Sequence, residues 1–159
     1  MERDRNTEKA LQDAINYAVE ERKEFLTPEM LLMFIMQQFE GSILMHQYQH
    51  QVYEICDELK KSADSVDRVP DDIKEYQLIA SNQLTELIEM GEKNAINAGR
   101  SQLELQHLLC AILDLKDSFA KYALCKYTTN DKVELLTSIV DVYDEDWNDT
   151  FNIDDIEDD

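Results

Sequence analysis

Glu24-Phe25-Leu26-Thr27-Pro28-Glu29-Met30-Leu31-Leu32-Met33-Phe34-Ile35-Met36 holds a helix start and, directly behind it, seven apolar residues in a row. The Thr27 hydroxyl can cap, Pro28 suits the first helical position because it has no N–H to leave unpaired, and Glu29 stands beside the positive end of the helix dipole. A helix that is apolar nearly all round must be covered on most sides. The stretch therefore predicts the central helix of a small helical domain, from Pro28 to about Phe39, with Glu40-Gly41-Ser42 breaking it.

Upstream, Thr7 is the expected cap of a first helix running to about Lys23. Leu11, Ala14, Ile15, Ala18 and Val19 fall on one stripe of that helix. Ala14 and Ala18 are small enough for another helix to come close. Downstream, Ile43, Leu44 and Tyr48 mark a short third helix. Val52, Ile55, Cys56 and Leu59 mark a fourth, from about Gln49 to Ala63. Asp64 to Asp72 is polar, lacks a stripe and contains the second proline, so it reads as a linker.

Beyond the linker the pattern starts again. Residue n laid over residue n + 77 puts Leu11 on Ile88, Ala14 on Gly91, Ala18 on Ala95, Val19 on Ile96, Leu26 on Leu103 and Ile35 on Ile112. A long helix, a short connection and a nearly all-apolar helix keep one register, which is the signature of a tandem repeat. Gly99 closes the long helix as a C-cap glycine. Leu105 to about Leu115 forms the second central helix, Ser118 to Leu124 a short one, and Asn130 or Asp131 caps a last helix through Val133, Leu135, Leu136, Ile139 and Val140. The expected fold is all-α: two tandem four-helix repeats, about 6–64 and 76–142, related by a pseudo-twofold axis. They form one domain over 1–143, followed by an acidic tail, 144–159.

The composition bounds the function. The chain has 159 residues, 43% of them hydrophobic, with three Gly and two Pro, enough apolar material for such a domain. Its formal charge of −20 repels phosphate backbones and anionic lipid, so neither nucleic acid nor a membrane surface is an expected partner. No window approaches the ~20 apolar residues of a membrane span, and no signal-peptide core follows Met1-Glu2-Arg3-Asp4-Arg5. A cytoplasmic, monomeric chain is the expectation. Cys56, Cys110 and Cys125, odd in number and set in apolar helical pattern, read as small buried hydrophobes in a reducing compartment. Asp141 to Asp159 contains ten acidic residues and no Lys or Arg, half of the net charge, which reads as a solvated tail. Trp147, Phe151, Ile153 and Ile156 are interleaved there and could dock on the domain or on a partner.

No catalytic constellation emerges. The only glycines are Gly41, Gly91 and Gly99, and no GxxxxGK[ST] phosphate loop follows them, which excludes ATP hydrolysis by these residues alone. His46 and His50 have i, i+4 spacing but lack the HExxH acid, and they read as surface residues; His107 reads as a packed one. No metal and no cofactor is expected. Phe25 stands apart, an aromatic in a turn beside Glu24. It is either a docking residue or the hydrophobic staple of the helix behind it.

The pattern Leu11-x-x-Ala14-x-x-x-Ala18-x-x-x-Arg22-x-Glu24-Phe25-Leu26-Thr27-x-Glu29-x-Leu31-Leu32 recurs more weakly as Ala95-x-x-Ala98-Gly99-Arg100-x-x-Leu103-x-x-x-His107-Leu108-Leu109. It resembles the N-terminal double-repeat domain of the Clp ATPases over about residues 6 to 142, and its first copy is most similar to the ClpA branch. The resemblance implies a non-catalytic domain that receives protein substrates, directly or through a ClpS-like adaptor. It implies tethering to AAA+ unfoldase modules that hold ATP and Mg and feed a ClpP-type protease, with the segment from Asp144 starting the linker. In the ClpC branch two Thr-x-Glu-His-Leu-Leu motifs bind phosphoarginine. Here Glu29 is kept, while Gln106 and Met30 depart, which favours the adaptor role. The residues implied for docking are Glu24, Phe25, Glu29 and, in the matching turn, Arg100. Two readings from other classes stand beside this one: a stand-alone acidic adaptor or regulator with the same fold, and a metal-dependent enzyme using His46 and His50.

Overall fold

A computed structural model describes residues 1–39, 46–131 and 134–135. In chain order its elements are β1 (Glu2–Arg3), α1 (Arg5–Glu20), β2 (Phe25–Leu26), α2 (Pro28–Phe39), a 3₁₀ turn (His46–Gln51) and α3 (Val52–Asp64). The second half follows with β3 (Ile79–Ala80), α4 (Asn82–Asn97), β4 (Gln102–Leu103), α5 (Leu105–Asp114) and α6 (Phe119–Tyr127). Adding 77 to the bounds of β1, α1 and β2 gives those of β3, α4 and β4. The tandem register expected from the apolar pattern is therefore kept by the backbone, and the architecture is the all-α double repeat.

The central-helix expectation holds for both copies. Met30, Leu31, Leu32, Met33, Ile35 and Met36 of α2 are buried, as is every residue of α5 from Leu105 to Leu113. α2 packs on α1 and α3 of its own repeat and on α4 and α6 of the other, so both halves share one core. At Gly91, opposite Ala14 in the register, an added Cβ would stand 2.8 Å from Leu108 Cδ2. The missing side chain is what lets α4 and α5 approach.

Several local expectations are corrected. Asp4, not Thr7, caps α1, its Oδ1 accepting from the Thr7 N–H at 2.9 Å, and Thr7 itself is buried inside the first turn. Ser81 caps α4 in the same manner through Leu84 N–H. Val19 and its counterpart Ile96 are exposed rather than part of the core stripe. The fourth helix begins at Val52 after the 3₁₀ turn, and α6 extends past Leu124 to Tyr127. Ile43 and Leu44 of the short third helix lie outside the described residues, as does most of the last one. Of that last helix, Leu135 is buried in the core and Asp131 Oδ1 accepts from the Glu134 N–H.

The short strands carry no periodicity and were not foreseen. β1 pairs in parallel with β4, and β2 with β3, each bond crossing from one repeat to the other. Glu2 faces Gln102 and Arg3 faces Leu103; exchanging the repeats, 2 + 77 = 79 and 102 − 77 = 25, gives the observed pair Phe25 and Ile79. The two halves are thus laced together symmetrically, as the repeat predicts.

Candidate functional site

The turn after α1 is built on a Schellman motif. Arg22 N–H donates to Val19 O at 3.0 Å and Lys23 N–H to Ala18 O at 2.8 Å; Gly99 and Arg100 make the matching bonds to Ile96 O and Ala95 O. The motif needs a left-handed residue, and Arg22 (φ 49°) occupies the place that Gly99 (φ 74°) takes in the second repeat. For a side chain with a Cβ this conformation costs roughly 1 kcal/mol or more.

What the turn gains is a clamp on the inter-repeat connection. The Arg22 guanidinium donates to the carbonyls of Val69 (3.0 Å), Pro70 (2.9 Å) and Ile73 (2.6 Å) and stands 4.9 Å from the centre of the Tyr76 ring. Tyr76 OH donates to Lys23 O at 2.7 Å, and Lys23 Nζ reaches Val66 O at 3.1 Å beyond the end of α3. Glu24 N–H donates to Asp67 O at 2.8 Å. The polar linker read from the sequence is therefore a fastened strap against the turn.

From this strap the chain runs straight into the β2–β3 seam. Ile79 N–H donates to Glu24 O and Ser81 N–H to Leu26 O. Leu26 points into the core, occupying the staple position next to the Thr27 cap. Phe25 faces the other way with 36% of its surface exposed, beside its register partner Ile79 at 54%. Leu26 rather than Phe25 therefore takes the staple position, and Phe25 is left at the surface. Exposed Glu24, Asp67, Asp71, Asp72 and Glu75 lie around this seam and strap, with Arg68 and Lys74 the cations among them. Of these acids Glu24 adjoins Phe25 in the chain, and Asp71 is paired with Arg22 and Arg68 on the strap.

Glu29 lies elsewhere than expected. Only 9% of it is exposed, and its Oε2 accepts from the Ala120 N–H, 3.2 Å away at the start of α6. Ser118 Oγ caps the neighbouring Lys121 N–H, so α6 takes one cap from its own repeat and one from the other. Burial pushes the Glu29 carboxyl above the usual carboxylate range, with the Ala120 hydrogen bond opposing. This is a structural carboxylate rather than a surface one.

Arg100 lies in the matching turn beside β4, in the other seam. Its Nε donates to Glu104 Oε2 at 2.8 Å, and Gln106 Nε2 donates to Glu104 Oε1 at 3.1 Å. Glu104 and His107 form a capping box on α5, His107 Nδ1 accepting from the Glu104 N–H at 3.0 Å. His107 is 1% exposed, and desolvation lowers its pKa to about 4, against an opposing pull from Glu104. The structure therefore brings Glu24 and Phe25 together, turns Glu29 inward and places Arg100 at the other seam. Ile79, Arg22 and Tyr76 were missed from sequence; Arg22 was findable as the residue that falls on Gly99 in the register.

Among the described residues no three His, Cys, Asp or Glu side chains are grouped as metal ligands, and no helix is long and apolar enough to cross a membrane. The side chain of His46 lies outside the described residues. Among the described residues Cys56, Cys110 and Cys125 form no disulfide; Cys110 is buried and the others are half-buried.

Solved structures share this fold. The N-terminal domain (residues 1–163) of the ClpV1 ATPase from the E. coli EAEC Sci1 type VI secretion system is similar at a TM-score of 0.72 and 19% identity, over 90% of this chain and 88% of that one. A structure described as a peptide from the EAEC Sci1 SciI protein is similar at 0.70 and 18%, over 90% and 91%. Another, from work on coevolution of the ATPase ClpV with the TssB-TssC sheath and the accessory HsiE protein, is similar at 0.66 and 19%, over 89% and 88%. A comparison with curated protein sequences gives no match. The Clp repeat (R) N-terminal domain family matches residues 4–127. The chain belongs to that family.

Proposed function

We propose that this chain is the substrate- and adaptor-docking domain of a Clp ATPase, non-catalytic by itself, and that it receives its partner at the β2–β3 seam. The observation that carries the reading is the exposed Phe25 and Ile79 pair, which follows the Arg22 strap and has exposed Glu24 next to it in the chain. A rigid apolar anchor with charge at its edge is the form a protein-docking surface takes. Glu24 favours a partner segment with Lys or Arg beside an apolar side chain. Glu29 serves the site only by fixing α6, and Arg100 marks the symmetric seam.

The family supports a Clp ATPase as the parent. The finer reading is a ClpA-like unfoldase in the cytoplasm that takes a ClpS-like adaptor, supplies a ClpP-type protease and binds ATP and Mg in AAA+ modules, with the domain over 1–143 and 144–159 as the link. It rests on the Glu24-Phe25-Leu26-Thr27-x-Glu29 wording. The fold neighbours favour a second reading, a ClpV-type domain that docks a peptide of a partner, since a peptide accompanies one such structure. Titration separates them: the ClpA-like reading expects a ClpS-family adaptor to bind. Phe25→Ala with Ile79→Ser is expected to weaken that binding at least tenfold with the melting temperature kept. Full-strength binding by the double variant would remove the seam from the interface, and failure of the adaptor to bind the unaltered chain would end the ClpA-like reading.

A further inference from the structure

The two repeats close two seams of one design, and only one of them carries an apolar pair at its surface. Asp4 N–H donates to Leu103 O at 3.0 Å where Ser81 N–H donates to Leu26 O at 2.9 Å. Each seam turns one leucine into the core, Leu26 or Leu103, and leaves its other three strand residues exposed. In the register of 77, Phe25 falls on Gln102, Ile79 on Glu2 and neighbouring Glu24 on Ser101. Gln102 and Glu2 show that the backbone pairing closes with polar side chains at these places. The pairing therefore does not call for Phe25 and Ile79, and an exposed apolar pair that the pairing does not need marks a contact surface. A second difference points the same way. The turn before β2 carries Arg22, whose guanidinium fastens the strap leading toward Ile79, whereas its counterpart Gly99 has no side chain with which to fasten anything.

We infer that the domain takes one partner segment at one of its two equivalent seams, and that the side chains of Phe25 and Ile79 are what choose the seam. The inference rests on the docking reading above and narrows it. The partner segment presents an apolar side chain that Phe25 and Ile79 cover. Gln102 and Glu2 refuse that side chain, because their polar groups would lose water against it without gaining a hydrogen bond. Specificity between the seams thus lies in two residues of each, and not in the fold, which treats both alike.

A peptide selected against the full chain from a phage-displayed library, and then synthesised, serves as the probe. Titration calorimetry gives its stoichiometry and amide chemical shifts give its position. One peptide is expected to bind, moving the signals of residues 24–26 and 79–81 and leaving those of 2–4 and 101–103 in place. Phe25→Gln with Ile79→Glu, which copies the polar seam, is expected to weaken binding about tenfold or more at an unchanged melting temperature. Glu2→Ile with Gln102→Phe, which copies the apolar seam, is expected to add a second, weaker site, since no strap fixes that seam. All four changes together are expected to carry the single site to the other seam, a gain of binding that misfolding does not produce. Binding of the unaltered chain at both seams or at the polar one, full-strength binding after Phe25→Gln with Ile79→Glu, or a graft that adds no site would overturn the inference and leave a docking domain. A selection that yields no peptide, or one that maps to neither seam, would overturn the docking reading and the inference together.

Discussion

A carboxylate at the first turn of a helix is ordinarily a solvated charge, and Glu29 shows what changes when a second repeat closes over it. The position serves as a long-range cap for α6, and the carboxyl carries its charge at the expense of desolvation. A raised folded pKa means that stability present below the unfolded pKa is lost as pH rises through the folded one. Glu29→Gln, which keeps the acceptor and drops the charge, is therefore expected to melt higher than the wild type at pH 7, the gap closing near about pH 3. Glu29→Ala loses the cap, about 1 kcal/mol. Glu29→Lys buries an unpaired cation and costs about 2–4 kcal/mol. Thermal unfolding ranks the three, and a Gln variant less stable than wild type at pH 7 would refute the account. His107 works in the opposite sense. Its folded pKa of about 4 lies below its ordinary 6.5, so the unfolded chain takes the proton first. Stability present above pH 6.5 falls as pH drops toward about 4, by about 3 kcal/mol over that window. His107→Gln keeps the capping-box acceptor without titrating, and urea titrations should show its pH slope flattened there. An unchanged slope would shift the effect to other groups.

Among the elements, the turn from α1 to β2 is the one where local cost and tertiary gain separate cleanly. Arg22 sits in the left-handed region that its counterpart Gly99 occupies freely, and the guanidinium ties down the strap behind Ile79. Arg22→Ala and Arg22→Gly both remove the clamp, and both are expected to speed hydrogen exchange at residues 67–79. The Gly variant alone relieves the backbone, so it should be the more stable of the two by about 1 kcal/mol. Equal stabilities would show that the turn carries no such strain. This element was half legible. Leu26, Thr27 and Pro28 announce the start of α2 by their own chemistry, and Gly99 announces its turn. Nothing local marks the strap, because its partners are backbone carbonyls some fifty residues from Arg22.

At the scale of the whole molecule, two repeats are laced into one core by parallel pairs that cross between them. The same lacing puts Phe25 beside Ile79, 54 residues apart in sequence, and makes an anchor of them. The amino-acid sequence by itself determined the two central helices and their flanking long helices, their register of 77 and the burial of most of α2 and α5, because these follow from spacings that act within a few residues. It also determined the net charge of −20. Only the tertiary structure decided which face each turn residue shows: Phe25 outward, Glu29 inward to α6, Arg22 onto the strap. Those outcomes depend on what the other repeat places opposite, and a chain carries no local record of its distant neighbours. The Glu24 to Met36 stretch names the centre of the fold unaided, and the second repeat sets which of its residues remain for a partner.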